Sequence, residues 1–107
     1  MKSKISHSIR NDLLSYKILL KKQGIKVSKI IVFGSIAKGT GDKYSDIDVA
    51  VVSPKFGKNY QKEMVKLMLQ SHKINNLIEP LPFNERELNN KYSALANEVR
   101  KYGIEVK

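Results

Sequence analysis

The sequence predicts a mixed α+β fold, in which helices pack against a small mixed β-sheet. Apolar residues recur at helical spacing in several segments, and short runs of strand-forming residues lie between those segments. The 107 residues are enough for one small domain, and no repeat, low-complexity stretch or linker divides them. We therefore expect a single domain over residues 1–107.

The first half of the chain predicts one helix and two strands. An amphipathic helix that ends near Gly24 is indicated by five residues at helical spacing: Ile5, Ile9, Leu13, Tyr16 and Leu20. The run KIIVF at residues 29–33 predicts a buried strand that stops at a glycine-containing turn. The alternation in SDIDVAVV, residues 45–52, predicts a second strand with Asp46 and Asp48 on one face.

The second half predicts further helices around an edge strand. Residues 58–72 have apolar side chains on one helical face, which predicts a helix. The segment NLIEPLPFN contains strand-forming residues, but Pro80 and Pro82 cannot donate hydrogen bonds, which favours an edge strand. Asn84 and Ser93 are suitable caps for two more helices, and IEV adds a last short strand after Gly103.

Composition excludes several classes of protein. The contents of 41% hydrophobic and 28% charged residues are typical of globular proteins. No apolar run approaches the roughly 18 to 20 residues that span a bilayer, and the N-terminus lacks a secretory signal, so we expect a cytoplasmic protein with no membrane contact. The absence of cysteine excludes disulfides, thiolate metal ligands and cysteine nucleophiles.

The formal net charge of +10 attracts anions such as nucleotides or an acidic partner protein. The lysines are scattered, and only three of the 20 basic residues are arginine, the residue that bidentate phosphate recognition favours. This pattern favours a solvated lysine-rich surface over a dedicated nucleic-acid footprint. We therefore do not expect direct binding of nucleic acid.

The stretch VFGSIAKGTGDKYSDIDVAVV carries the residues with chemical potential. Asp46 and Asp48 project from one strand face about 6 to 7 Å apart, and two carboxylates so placed call for a compensating cation. Oxygen-only ligands fit magnesium better than zinc. Gly34 and Ser35 open a turn whose backbone N–H groups and hydroxyl can bind phosphate, and Lys38 lies either near a phosphate or in solvent.

The glycine-serine pair, ten intervening residues and the D-x-D pair resemble the nucleotidyltransferase superfamily related to DNA polymerase beta. The small size resembles the minimal nucleotidyltransferases, or MNT proteins, within it. NLIEPLPF resembles the third acidic strand of that family, and EVRKYGIEV resembles its closing helix and strand. The resemblance implies the nucleotidyltransferase fold over most of the chain.

The resemblance also implies roles for individual residues. Asp46, Asp48 and Glu79 are implied to be catalytic and to hold two Mg²⁺ ions. The implied nucleotide-binding residues lie in the turn and just before the first aspartate: Gly34, Ser35, Lys38 and Ser45. Two positions depart from the family pattern, since Glu79 stands where aspartate is frequent and Lys38 stands where arginine is frequent.

MNT proteins are commonly encoded beside a HEPN-domain protein, and the pair resembles a type VII-like toxin–antitoxin system. The resemblance implies that this chain is the antitoxin, forms a hetero-oligomer with the HEPN toxin, and transfers AMP from ATP to a tyrosine hydroxyl of that toxin. Two alternatives stay open. The chain neutralises the toxin by binding alone, or it modifies another acceptor, such as an antibiotic or RNA.

Overall fold

The computed structural model describes residues 5–107, which form five helices and four strands. The helices are α1 (His7–Lys22), α2 (Gly34–Lys38), α3 (Tyr60–Ser71), α4 (Glu85–Leu88) and α5 (Ala94–Tyr102). The strands are β1 (Lys29–Phe33), β2 (Ile47–Val52), β3 (Ile78–Phe83) and β4 (Ile104–Glu105). The predicted α+β class is confirmed.

Side-chain caps mark where α1, α3, α4 and α5 begin. The Ser93 hydroxyl accepts a hydrogen bond from the N–H of Ala96 at the start of α5. Asn84 and Glu87 form a reciprocal capping box at the start of α4. Both caps were predicted from the sequence, because short polar side chains satisfy N–H groups that have no partner inside a helix.

The sheet is mixed, with the strand order β3-β2-β1-β4. β1 pairs antiparallel with both β2 and β4, whereas β2 pairs parallel with β3. The parallel pair needs a crossover connection, which α3 provides. The register places Asp48 of β2 between Phe33 of β1 and Glu79 of β3.

The two faces of the sheet have separate cores. The first face packs against α1, α2 and α3, and its core includes Leu13, Tyr16, Leu20, Ile30, Val32, Val49, Val51 and Leu67. The Tyr16 hydroxyl donates a hydrogen bond of 2.8 Å to the Leu67 carbonyl, which links α1 to α3. The second face packs against α4 and α5, and its smaller core contains Phe33, Ala50, Val52, Phe83, Leu88, Ala96 and Val99.

β3 is an edge of the sheet formed by the described residues, as its prolines predicted. The N–H of Ile47 donates to the Leu77 carbonyl, and the N–H of Ser53 donates to the Phe83 carbonyl. Strand alternation therefore turns the backbone of Ile78, Pro80 and Pro82 outward. None of the described helices is both long enough and apolar enough to cross a membrane.

Candidate active site

The carboxylates of Asp48 and Glu79 project from the second face of the sheet. The two residues are register partners on adjacent strands, so their side chains lie side by side. Asp48 is half-buried and Glu79 is exposed. Ala50 and Leu81, the next residues along each strand on this face, belong to its core or pack against it, so the sheet positions both acidic residues at one end of the face.

Gly34 lies against the Asp48 carboxylate at the junction of β1 and α2. Its φ of +70° is a conformation that L side chains rarely adopt, and a Cβ atom there would overlap with Asp48 Oδ2. Glycine therefore permits both the turn and the close approach. The contact joins the predicted phosphate-binding turn directly to the predicted catalytic carboxylate.

Electrostatics at Asp48 show that this part of a basic protein is acidic. Burial raises the pKa of Asp48 above its ordinary value, and the negative charges of Asp46, Glu79 and Glu98 raise this pKa further. The charges of three other carboxylates therefore act on Asp48. A cation bound here would relieve that repulsion.

Asp46 is exposed and lies just before the first residue of β2. Within residues 5–107, no three acidic or histidine side chains are close enough to form a metal site by themselves. This is compatible with Mg²⁺, which is typically bound by one or two carboxylates and completes its shell with phosphate oxygens and water. Asp46, Asp48 and Glu79 carry carboxylate oxygens, the kind of ligand that Mg²⁺ prefers, and their binding of Mg²⁺ stays a prediction.

The turn after Gly34 is closed by backbone hydrogen bonds to one carbonyl. The Ser35 carbonyl accepts from the N–H groups of Thr40 and Gly41 at 3.0 and 3.1 Å. A Cβ atom at Gly41 would lie 3.0 Å from the Ser35 hydroxyl oxygen and 3.2 Å from that of Ser45. The structure thus brings the two predicted nucleotide-binding serines together around Gly41.

The Ser45 hydroxyl has a local partner. It accepts a hydrogen bond of 2.9 Å from the N–H of Asp42, and this bond closes the turn that precedes Asp46. A nucleotide-binding role for Ser45 stays a prediction. The contact in the structure gives this serine a role in shaping the loop between the two motif halves.

Lys38 contacts helix α5. Its Nζ atom lies 3.6 Å from Glu98 Oε1 and 4.9 Å from the centre of the Tyr102 ring. The sequence left two positions open for Lys38, near a phosphate or in solvent, and neither of them predicted this contact with α5. Its predicted binding of nucleotide stays a prediction.

Glu98 is the site residue that sequence reasoning missed. It lies on α5 next to the buried Val99, and the close approach of Gly103 to Ile31 brings the end of this helix against β1. A polar residue beside the buried stripe of a helix is a weak signal, because most such residues face solvent. The packing of α5 was needed to place Glu98 near Asp48.

A protein-family comparison agrees with this geometry. A model described as a nucleotidyltransferase domain matches residues 15–106, which is most of the chain. The chain belongs to the nucleotidyltransferase domain family. The match includes the turn, the three acidic residues and α5, so the family expected from the motif spacing is confirmed.

Two solved structures resemble this nucleotidyltransferase in fold. One is a crystal structure of a toxin-antitoxin with AMP-PNP, which has 22% sequence identity and a TM-score of 0.65 over 92% of this chain and 72% of that chain. The other is a putative nucleotidyltransferase from Sulfolobus solfataricus, with 22% identity and a TM-score of 0.61 over 98% of this chain and 86% of that chain. A comparison with proteins of curated function found no match.

Proposed function

We propose that this nucleotidyltransferase transfers AMP from ATP to a tyrosine hydroxyl of a HEPN-domain toxin and is thereby its antitoxin. Family membership supports the type of reaction. The similarity to a toxin-antitoxin structure with AMP-PNP, an ATP analogue, supports both the nucleotide and the kind of partner. We further propose that the chain forms a hetero-oligomer with the toxin that it modifies.

The observation that carries the proposal is the contact between the turn and the carboxylates. Gly34 places the start of the predicted phosphate-binding turn against Asp48, and the register places Glu79 beside Asp48. A nucleotide whose phosphates lie at the turn therefore has its reacting phosphorus near the carboxylates. Positioning of this kind is a large part of phosphoryl-group catalysis.

In the proposed reaction, the acceptor oxygen forms a bond to the α-phosphorus of ATP. The bond from that phosphorus to the bridging oxygen of the β-phosphate breaks, and pyrophosphate leaves with the electron pair. In this proposal Glu79, which is exposed on the edge strand β3, orients the incoming hydroxyl and accepts its proton directly or through water. Asp46, Asp48 and Glu79 would hold Mg²⁺, which would supply charge neutralisation and lower the pKa of the attacking hydroxyl.

The decisive experiment is intact mass spectrometry of a candidate HEPN-domain toxin. The HEPN protein is incubated with the wild-type chain, ATP and Mg²⁺, and in parallel with Asp46→Asn, Asp48→Asn or Glu79→Gln. We expect the toxin to gain the mass of one or more AMP units with the wild type. The loss of a carboxylate at the site should slow this gain by at least about 100-fold.

Glu85→Gln is the matched control, because Glu85 is an exposed acid whose partner is Lys29, at 3.8 Å. This variant should transfer AMP at the wild-type rate. Unchanged transfer by Asp48→Asn would contradict the mechanism. A stable complex that protects against the toxin without any mass gain would instead support neutralisation by binding alone.

A further inference from the structure

The basic residue of the phosphate-binding turn is already paired. Lys38 is the last residue of α2, and its ammonium group lies 3.6 Å from Glu98 Oε1 on α5. The same group lies 4.9 Å from the centre of the Tyr102 ring, a distance suited to a cation–π contact. Two residues of α5 therefore hold the Lys38 side chain.

The surroundings of this pair are acidic. Glu98 is close enough to Asp48 to act on its ionisation, together with Asp46 and Glu79. The phosphates of ATP bring further negative charge to the turn, so nucleotide without a cation is repelled. The one charge that Lys38 contributes is offset by Glu98.

We infer that Glu98 is a positioning residue: it holds Lys38 against α5, withholds this cation from the phosphates, and so makes ATP binding depend on a divalent cation. The inference rests on the proposed function, since it takes the turn to be the phosphate site. The ion pair is exchangeable, because the side chains of Lys38 and Glu98 are 38% and 37% exposed and partly exposed pairs are weak.

The test is calorimetric titration with ATP, in EDTA and in Mg²⁺, of the wild type, Glu98→Gln, Lys38→Ala and the double variant. In EDTA, Glu98→Gln should bind ATP about three- to tenfold more tightly than the wild type, because Lys38 is released toward the phosphates. In the Lys38→Ala background most of that gain should disappear. In Mg²⁺ the difference should shrink, since the metal neutralises the same charges.

Glu85→Gln removes a carboxylate from another ion pair, the one with Lys29, and should leave the affinity for ATP unchanged in both buffers. Tyr102→Leu is a second variant, which removes the ring contact alone and should tighten binding in EDTA by a smaller factor. Circular dichroism checks that each variant is folded. If Glu98→Gln does not fold, Tyr102→Leu carries the test.

Equal tightening by Glu98→Gln with and without Lys38 would overturn the inference, because simple removal of negative charge would then explain the effect. No tightening in EDTA by Glu98→Gln or Tyr102→Leu would overturn it as well. Failure of the wild type to bind ATP even in Mg²⁺ would contradict the proposed function itself. The two failures are thus distinguishable.

Discussion

The two faces of the sheet differ in what they bury. The face under α1 and α3 is covered by aliphatic side chains together with Tyr16 and Phe56, and most of these residues are fully buried. The face under α4 and α5 has a smaller core, and one end of that face carries Asp48 and Glu79 in place of apolar residues. Strand alternation separates the two sets of side chains, since neighbouring residues of β2 point to opposite faces.

The first face therefore contributes mainly to stability, whereas the acidic end of the second face carries residues predicted to act in the reaction. Hydrophobic burial on the first face is the main stabilising contribution, whereas the carboxylates on the second face repel one another. Substitutions on the first face should therefore change the free energy of unfolding. Substitutions at the acidic end should change the reaction and leave the fold intact.

The largest expected effect on stability is at the first face. Leu20→Ala removes a fully buried side chain and leaves a cavity, so it should lower the free energy of unfolding by about 2 to 5 kcal/mol. Ile18→Ala on the same helix is the control, because Ile18 is 57% exposed. Urea denaturation measures both variants, and similar losses would refute the idea that burial on the first face is the main stabilising contribution.

Gly34→Ala tests the close approach of the turn after β1 to the Asp48 carboxylate. The new Cβ would overlap with Asp48 Oδ2 and the backbone φ of +70° would be strained, so we expect loss of AMP transfer and a loss of stability of about 1 to 3 kcal/mol. Gly24→Ala is matched in conformation, with a φ of +84°, but its Cβ would meet no atom within 4 Å. This control should be destabilised by strain alone and keep its activity. Loss of AMP transfer in both variants would contradict a specific role in the reaction for the close approach of Gly34 to Asp48.

The smallest effect concerns Asp48→Asn, which should slightly stabilise the fold. The folded-state pKa of Asp48 is raised, so its ionised form destabilises the fold above that pKa, and the effect is absent below the ordinary value of 3.8. The variant should thus be more stable than the wild type at pH 7, by less than about 1 kcal/mol because solvent screens a partly exposed carboxylate. Thermal unfolding at several pH values should show this gain shrinking as the pH falls. A variant less stable than the wild type at pH 7 would contradict it.

Local patterns predicted much of the fold. The KIIVF run matches β1 at residues 29–33, and the caps at Asn84 and Ser93 begin α4 and α5 as expected. These features depend on neighbours in sequence, such as side-chain alternation and cap hydrogen bonds. The same alternation predicted a shared face for Asp46 and Asp48, but β2 begins at Ile47, so Asp46 lies outside the strand and its shared face stays a prediction.

Long-range packing was not predictable from these patterns. The contact of Lys38 with Glu98 joins residues that are far apart in sequence and depends on how α5 lies across β1. The overlap that a side chain at Gly34 would make with Asp48 depends on the pairing of β1 with β2. A single sequence gives the turn and the strand, but the distance between them is set by tertiary structure.

The outer edge of β3 determines how another chain can approach the acidic end. Pro80 and Pro82 have no N–H group, and the N–H of Ile78 already donates to the Asn75 carbonyl at 3.1 Å. Ile78, Pro80 and Pro82 are also buried, so the outward edge of β3 has no free N–H and little accessible backbone for a strand that would extend the sheet. Under the proposed function, a toxin that presents its tyrosine beside Glu79 is therefore recognised through side chains rather than by strand addition at this edge, and the same edge protects this small protein from aggregation.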